Sequence, residues 1–138
     1  MKKSGYKKLM TILESNKKWP IIVGGISGDS LPKGIVLPAT IPTEELDILP
    51  SESGLHYPAW IMQMMISAKK SDKVYLVIDG LDKIDFDEQD KFYGILKHKG
   101  VNGYKFPDGT QIIIAISSGN ISKISKKISA LCLNFDVE

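Results

Sequence analysis

Arginine is missing from this chain; all 18 of its basic residues are lysines. It therefore has no guanidinium fork to clamp a phosphate or carboxylate, and no arginine finger to lend to a second copy of itself. Cysteine occurs once, at Cys132, which excludes an intrachain disulfide. Its place in an apolar run predicts a buried structural thiol rather than a nucleophile. The two histidines, His56 and His98, stand far apart, with no Cys or second His beside either, so no zinc site is expected. No apolar run is long enough to span a membrane, and the lysine-rich start carries too short an apolar patch for a signal peptide. A cytoplasmic protein is the expectation.

What is present is the composition of an ordinary globular domain. A length of 138 residues is enough for one domain over 1–138 with a proper core. The net charge of +2 is too small to imply a nucleic-acid partner. Lysines gather near both ends (Lys2, Lys3, Lys7, Lys8, Lys17, Lys18; Lys123, Lys126, Lys127) without interleaved aromatics, the pattern of solvated faces.

Helical spacing predicts a first helix over Tyr6–Asn16, capped by Ser4. A short apolar strand, Trp19–Val23, runs into Gly24-Gly25, and Gly34–Leu37 reads as a second strand. Residues 38–58 hold four prolines and read as extended loop with one helical turn at Thr43. A helix over Tyr57–Lys70 precedes the most telling segment, Val74–Ile84, in which five apolar residues deliver Asp79 and then Gly80-Leu81-Asp82. This is how a buried parallel strand brings a carboxylate to a sheet edge. A helix over Phe86–Lys97 follows, then strands over Val101–Phe106 and Gln111–Ile116 about a Pro107-Asp108-Gly109 hairpin or β-turn. The Ser117–Asn120 loop, a helix over Ile121–Leu131 and a last strand over Cys132–Val137 complete the order. Alternating strands and helices predict an α/β fold: three αβα layers about a mostly parallel sheet.

From Tyr57 to Val137 this order resembles an AAA+ P-loop ATPase core, most closely the MoxR-like branch. YLVIDGLDKI stands as the Walker B strand, and Tyr104–Gly109, with Phe106 at the leucine position, resembles the family's Y-x-L-P-D-G insertion before the sensor-1 strand. Asp79–Asp82, DGLD, is also similar to the Walker B of STAND proteins. The resemblance implies a reduced P-loop NTPase-like fold in which Asp79 would order magnesium, Asp82 would supply a second carboxylate, and Asn120 or Ser118 would be sensor 1. Asn120 also reads as a helix cap. Gly25, Gly28 and Ser30 fall where the phosphate loop belongs.

The chain departs from that pattern where charge is handled. It has no GxxxxGK[ST]; with Ser30 aligned to the hydroxyl, Asp29 stands in place of the lysine. Pro32 and Lys33-Gly34 follow at once, so the P-loop helix is expected to be missing. Gly80 replaces the catalytic Glu, and Asn134 stands at the arginine-finger position of Ala130–Phe135. The expectation is a degenerate, non-hydrolysing domain that binds a protein partner, either a related ATPase or itself, with no cofactor. The alternatives are a nucleotide-binding or weakly active NTPase using Asp79 and Asp82 with Lys33, ATP and magnesium, and a nucleic-acid accessory protein working through its lysines.

Overall fold

The computed structural model describes residues 3–16, 18–26, 31 and 34–137. In chain order the elements are α1 (Lys3–Ser15), β1 (Ile21–Gly24), β2 (Ile35–Pro38), β3 (Leu49–Ser51), β4 (Gly54–His56), α2 (Ala59–Lys70) and β5 (Val74–Asp79). Then come α3 (Phe86–Gln89), α4 (Tyr93–His98), β6 (Gly100–Val101), β7 (Tyr104–Lys105), β8 (Thr110–Ile116), α5 (Lys126–Ser129) and β9 (Leu133–Asp136). Five strands form one parallel sheet in the order β2-β5-β8-β1-β9. The continuous apolar runs Val74–Ile78 and Ile112–Ile116 lie at its centre and are buried on both faces, as parallel strands must be.

Side-chain alternation divides the core in two. Ile22, Leu37, Leu76, Ile78, Ile112 and Ile114 point to a face covered by α2 (Trp60, Ile61, Met64), α4 (Ile95, Leu96) and α5 (Ile128). Ile21, Val23, Val77, Ile113 and Ala115 point to the opposite face, where α1 lays Leu9 and Leu13. The three layers and the parallel sheet are those expected from the sequence.

Handedness explains which face each helix takes. The steps β2 to β5, β5 to β8 and β8 to β9 all run in one direction across the sheet, so right-handed crossovers place α2, α4 and α5 together. The step β1 to β2 runs backward and belongs on the α1 face. Only residues 25–34 make that step, fewer than the dozen or more that a crossover with a helix takes. Extended chain suffices: three strand spacings of about 4.8 Å plus the return along β2 fall within the roughly 33 Å that ten residues can span. Ile26 and Leu31 of this connection are buried with Leu9 and Leu13, on the face that right-handedness requires.

Strand β2 bounds the sheet. Ala39 N–H donates to Asp79 O at 2.9 Å, so alternation turns the backbone groups of Ile35 and Leu37 toward β5 and those of Val36 and Pro38 outward. Val36 is 45% exposed, and the outward-facing nitrogen of Pro38 carries no proton.

Several local expectations are corrected. Ser4 lies inside α1 rather than capping it. Residues 49–56 form the β3–β4 hairpin where loop was expected. The expected helix over 86–97 is broken into α3, a 3-10 turn (Asp90–Phe92) and α4; that over 121–131 is a 3-10 turn (Asn120–Lys123) and then α5, capped by Ser125. The hairpin turns at Asn102-Gly103, not at Pro107–Gly109. Both residues have positive φ (46° and 90°), the conformation a two-residue hairpin loop uses. Pro107–Thr110 is a β-turn, with Thr110 N–H donating to Pro107 O at 3.0 Å.

Gly109 is required there by a close approach. Its carbonyl accepts from Val74 N–H at 3.0 Å, and a Cβ on it would run into the carbonyl of Asp72. Gly109→Ala must push two backbones apart and is expected to cost about 1–3 kcal/mol in urea denaturation. A change within about 0.5 kcal/mol would refute the close approach.

Candidate functional site

In parallel α/β sheets, ligands bind beyond the carboxyl ends of the strands, where neighbouring connections leave in opposite directions. Here that point lies between β8, which departs toward β9, and β1, which departs toward β2. A crevice of about 420 Å³ sits there. Its lining includes Gly25 and Ile26 after β1, Asp79, Gly80, Asp82 and Lys83 after β5, and Ser117 and Ser118 after β8.

The strand ends are tied to each other through backbone groups. Gly25 N–H donates to Ile116 O, and Gly80 N–H donates to Ala115 O, each at 3.0 Å. Both glycines hold positive φ (83° and 86°), which only glycine adopts without strain. Asp79 is half-buried at the end of β5. Asp82, in the 3-10 turn Leu81–Lys83, is only 7% exposed. Its Oδ2 accepts from Ser117 N–H at 3.2 Å and from Asn120 Nδ2 at 2.8 Å. Its Oδ1 is buried and has no hydrogen-bond partner among the described residues. The second carboxylate of the DGLD segment, Asp82, and the amide expected as sensor 1, Asn120, are thus bonded directly to each other. Asn120 does not cap a helix with its side chain; the residue before the 3-10 turn is Gly119.

A second carboxylate, Asp136 at the end of β9, holds the same loop from the other side. It accepts from Ser118 Oγ and Gly119 N–H at 3.0 Å. A Cβ on Gly24 would come within 2.6 Å of its Oδ2, so a larger residue there would displace the Asp136 side chain.

The residue that sequence reasoning missed is Gln89, which is fully buried. Its Nε2 donates to Lys123 O at 2.8 Å and is shared between Leu81 O and Ile84 O at 3.1 Å. Its Oε1 accepts from Ser125 N–H at 2.8 Å. One amide thereby joins the loop carrying Asp82 to the loop carrying Asn120. The signal was faint: the buried stripe of Leu96 and Phe92, carried back one more turn, lands on this position within an otherwise acidic run.

Of the other expected site residues, Gly28 and Ser30, with Asp29 and Lys33, lie outside the described residues. Asn134 is exposed on the edge strand β9, paired with Ile22. Among the described residues no group of three His, Cys, Asp or Glu is placed to hold a metal. Asp79 and Asp82 are the two carboxylates a magnesium-bound nucleotide would meet at this crevice. With Oδ2 of Asp82 taken twice and Oδ1 shut from solvent, this arrangement does not fit that group. The lysine clusters do not merge: Lys7 and Lys8 ride on α1, while Lys126 and Lys127 ride on α5 across the sheet. Lys97 and Lys127 both approach the ring of Tyr93, at 5.6 and 4.4 Å from its centroid. No helix among the described residues is long and apolar enough to cross a membrane.

Cys132 is half-buried, and its Sγ lies 3.3 Å from Ile128 O as donor. Burial pushes the thiol up to about 12, which withholds the thiolate at neutral pH.

Comparison with known proteins shows the fold and goes no further. No family model matches the chain, and no curated protein matches it. Among the solved structures that do match is a DNA polymerase III gamma subunit-related protein of Thermotoga maritima, with a TM-score of 0.52 at 12% identity. The likeness covers 96% of this chain and 45% of that one. It shows the three-layer α/β fold about a parallel sheet expected from the sequence.

Two predictions follow from this geometry. Gln89→Leu leaves three carbonyls and one amide without their buried partner, so a loss of at least about 3 kcal/mol is expected in urea denaturation. A loss under about 0.5 kcal/mol would show that the loops do not depend on it. For Cys132, a raised thiol pKa favours the folded state while the thiol is protonated. That preference is intact below the ordinary thiol range and fades as pH climbs from about 9 toward 12. Near neutrality, Ellman's reagent is expected to label the native thiol far more slowly than the urea-unfolded one; equal rates would contradict the burial.

Proposed function

We propose that this chain is a P-loop NTPase-fold domain that does not hydrolyse nucleotide and acts as a protein-binding or regulatory module, on a related ATPase or on another copy of itself. The observation that carries this reading is the closed contact among Asp82, Asn120 and Ser117 N–H. Hydrolysis needs a carboxylate and a sensor amide both facing an attacking water; here they are hydrogen-bonded to each other. Gly80 offers no side chain to polarise water, and a ten-residue β1–β2 connection leaves no length for a phosphate loop followed by a helix. The name of the matched structure, a polymerase subunit-related protein, agrees with work inside an assembly.

A second reading has one observation in its favour. A buried carboxylate oxygen without a partner costs about 1–3 kcal/mol, and turning Asp82 so that Oδ1 faces the crevice beside Asp79 would relieve that cost. That reading makes the domain a nucleotide binder or weak NTPase using Asp79 and Asp82.

Isothermal titration with magnesium-ATP, paired with a phosphate-release assay, separates the two. The first reading expects no saturable heat and no release above Asp79→Ala. Micromolar binding, or release that collapses in Asp79→Ala, overturns it in favour of the second.

A further inference from the structure

A cavity of about 430 Å³ opens in the layer of α2 and α4, formed by elements other than those that line the crevice. Its volume is that of a small-molecule site. Three walls meet there: the turn after β2, helix α4, and the β6–β7 hairpin. Leu46, Ile95, Val101 and Tyr104 give it an apolar floor. The hairpin wall is fixed from outside, because Asn102 Nδ2 donates to Ile48 O at 3.1 Å and Phe106 packs edge-on against Trp60.

Two glycines keep the cavity open. Gly94 lies within α4, where glycine costs up to about 1 kcal/mol relative to alanine. Nothing among the described residues asks for it: its φ is ordinary, and a Cβ built on it meets none of their atoms within 4 Å. A Cβ on Gly103 likewise meets nothing within 4 Å. A helical glycine without a packing or conformational reason is what a close approach of ligand to backbone uses.

The charges set the class of ligand. Residues 91–107 contain four lysines (Lys91, Lys97, Lys99, Lys105) and no acid. Lys91 and Lys105 reach the cavity wall, and Lys91 Nζ is anchored by donating to Ile41 O at 2.7 Å, with further protons to offer. The single carboxylate on the wall, Asp47, already accepts from Ile48 N–H at 2.8 Å. We infer that this cavity binds a small organic anion, with an apolar or aromatic body on the Leu46–Ile95–Val101 floor and its acid group between Lys91 and Lys105.

The test uses 8-anilinonaphthalene-1-sulfonate, an aromatic anion whose fluorescence rises on burial, and the uncharged N-phenyl-1-naphthylamine as its neutral counterpart, each with the full chain. The sulfonate is expected to bind saturably at one site, about tenfold or more tighter than the neutral dye. Gly94→Phe, which fills the space, is expected to weaken it by about tenfold or more. Lys105→Met, at an exposed position that leaves the fold alone, should weaken it by about threefold or more. Equal binding of the two dyes, unsaturable binding, or an unchanged affinity in Lys105→Met would overturn the inference. So would an unchanged affinity in a Gly94→Phe protein that melts like the parent; should that variant not fold, the neutral dye and Lys105→Met decide.

Discussion

The carboxyl edge of the sheet depends on one buried side chain amide. Gln89 is fully buried and satisfies backbone groups of two loops that are distant in sequence, 81–84 and 123–125. Each loop has only a single 3-10 turn to occupy its carbonyls, and an orphaned buried carbonyl is more costly than a hydrogen bond is favourable. With both loops fixed, Asp82 and Asn120 are brought within 2.8 Å of each other. The same bracing that orders the site also closes it. In an active NTPase those two groups would converge on a third body; here they are hydrogen-bonded to each other, and the reading as a non-hydrolysing module rests on that contact.

The other structural problem is the sheet face that a shortened β1–β2 connection leaves bare. A parallel sheet needs both faces covered. The three crossovers that run forward cover one face by right-handedness; the single backward step would normally supply the helix for the other. Here α1, which precedes β1, lies on that face, and Leu9 and Leu13 close over Val23, Val77 and Ile113. The core is thus complete although the backward connection is short. Fold and phosphate chemistry are separable in this architecture because the helix that covers the sheet need not be the one that begins at a phosphate.

The parts of this arrangement legible in the sequence were those written as long apolar runs. Val74–Asp79 and Ile112–Ile116 announce central parallel strands, and the order of elements around them leads to three layers. Short elements were less legible, for physical reasons. Leu49-Pro50-Ser51 lacks the alternation of a strand and holds a proline, yet pairs with Gly54–His56 in a hairpin exposed on both faces. Pro107-Asp108-Gly109 is a strong turn signal and drew attention from Asn102-Gly103, the pair that reverses the chain. At the site, Asp79, Asp82 and Asn120 were found because a strand points at them. Which of their atoms bond to which was not written in spacing, and Gln89, a polar residue amid acids, was hidden because burial of an amide leaves no compositional trace.

The boundary strand β2 carries a consequence for assembly. With Val36 as its one outward-facing amide proton and an imino nitrogen at Pro38, it offers an incoming strand almost nothing to pair with. Sheets therefore do not grow across this border from one molecule into the next. A molecule brought against this border would find side chains there, so contact on this side turns on shape and charge rather than on the repeating ladder common to all strands.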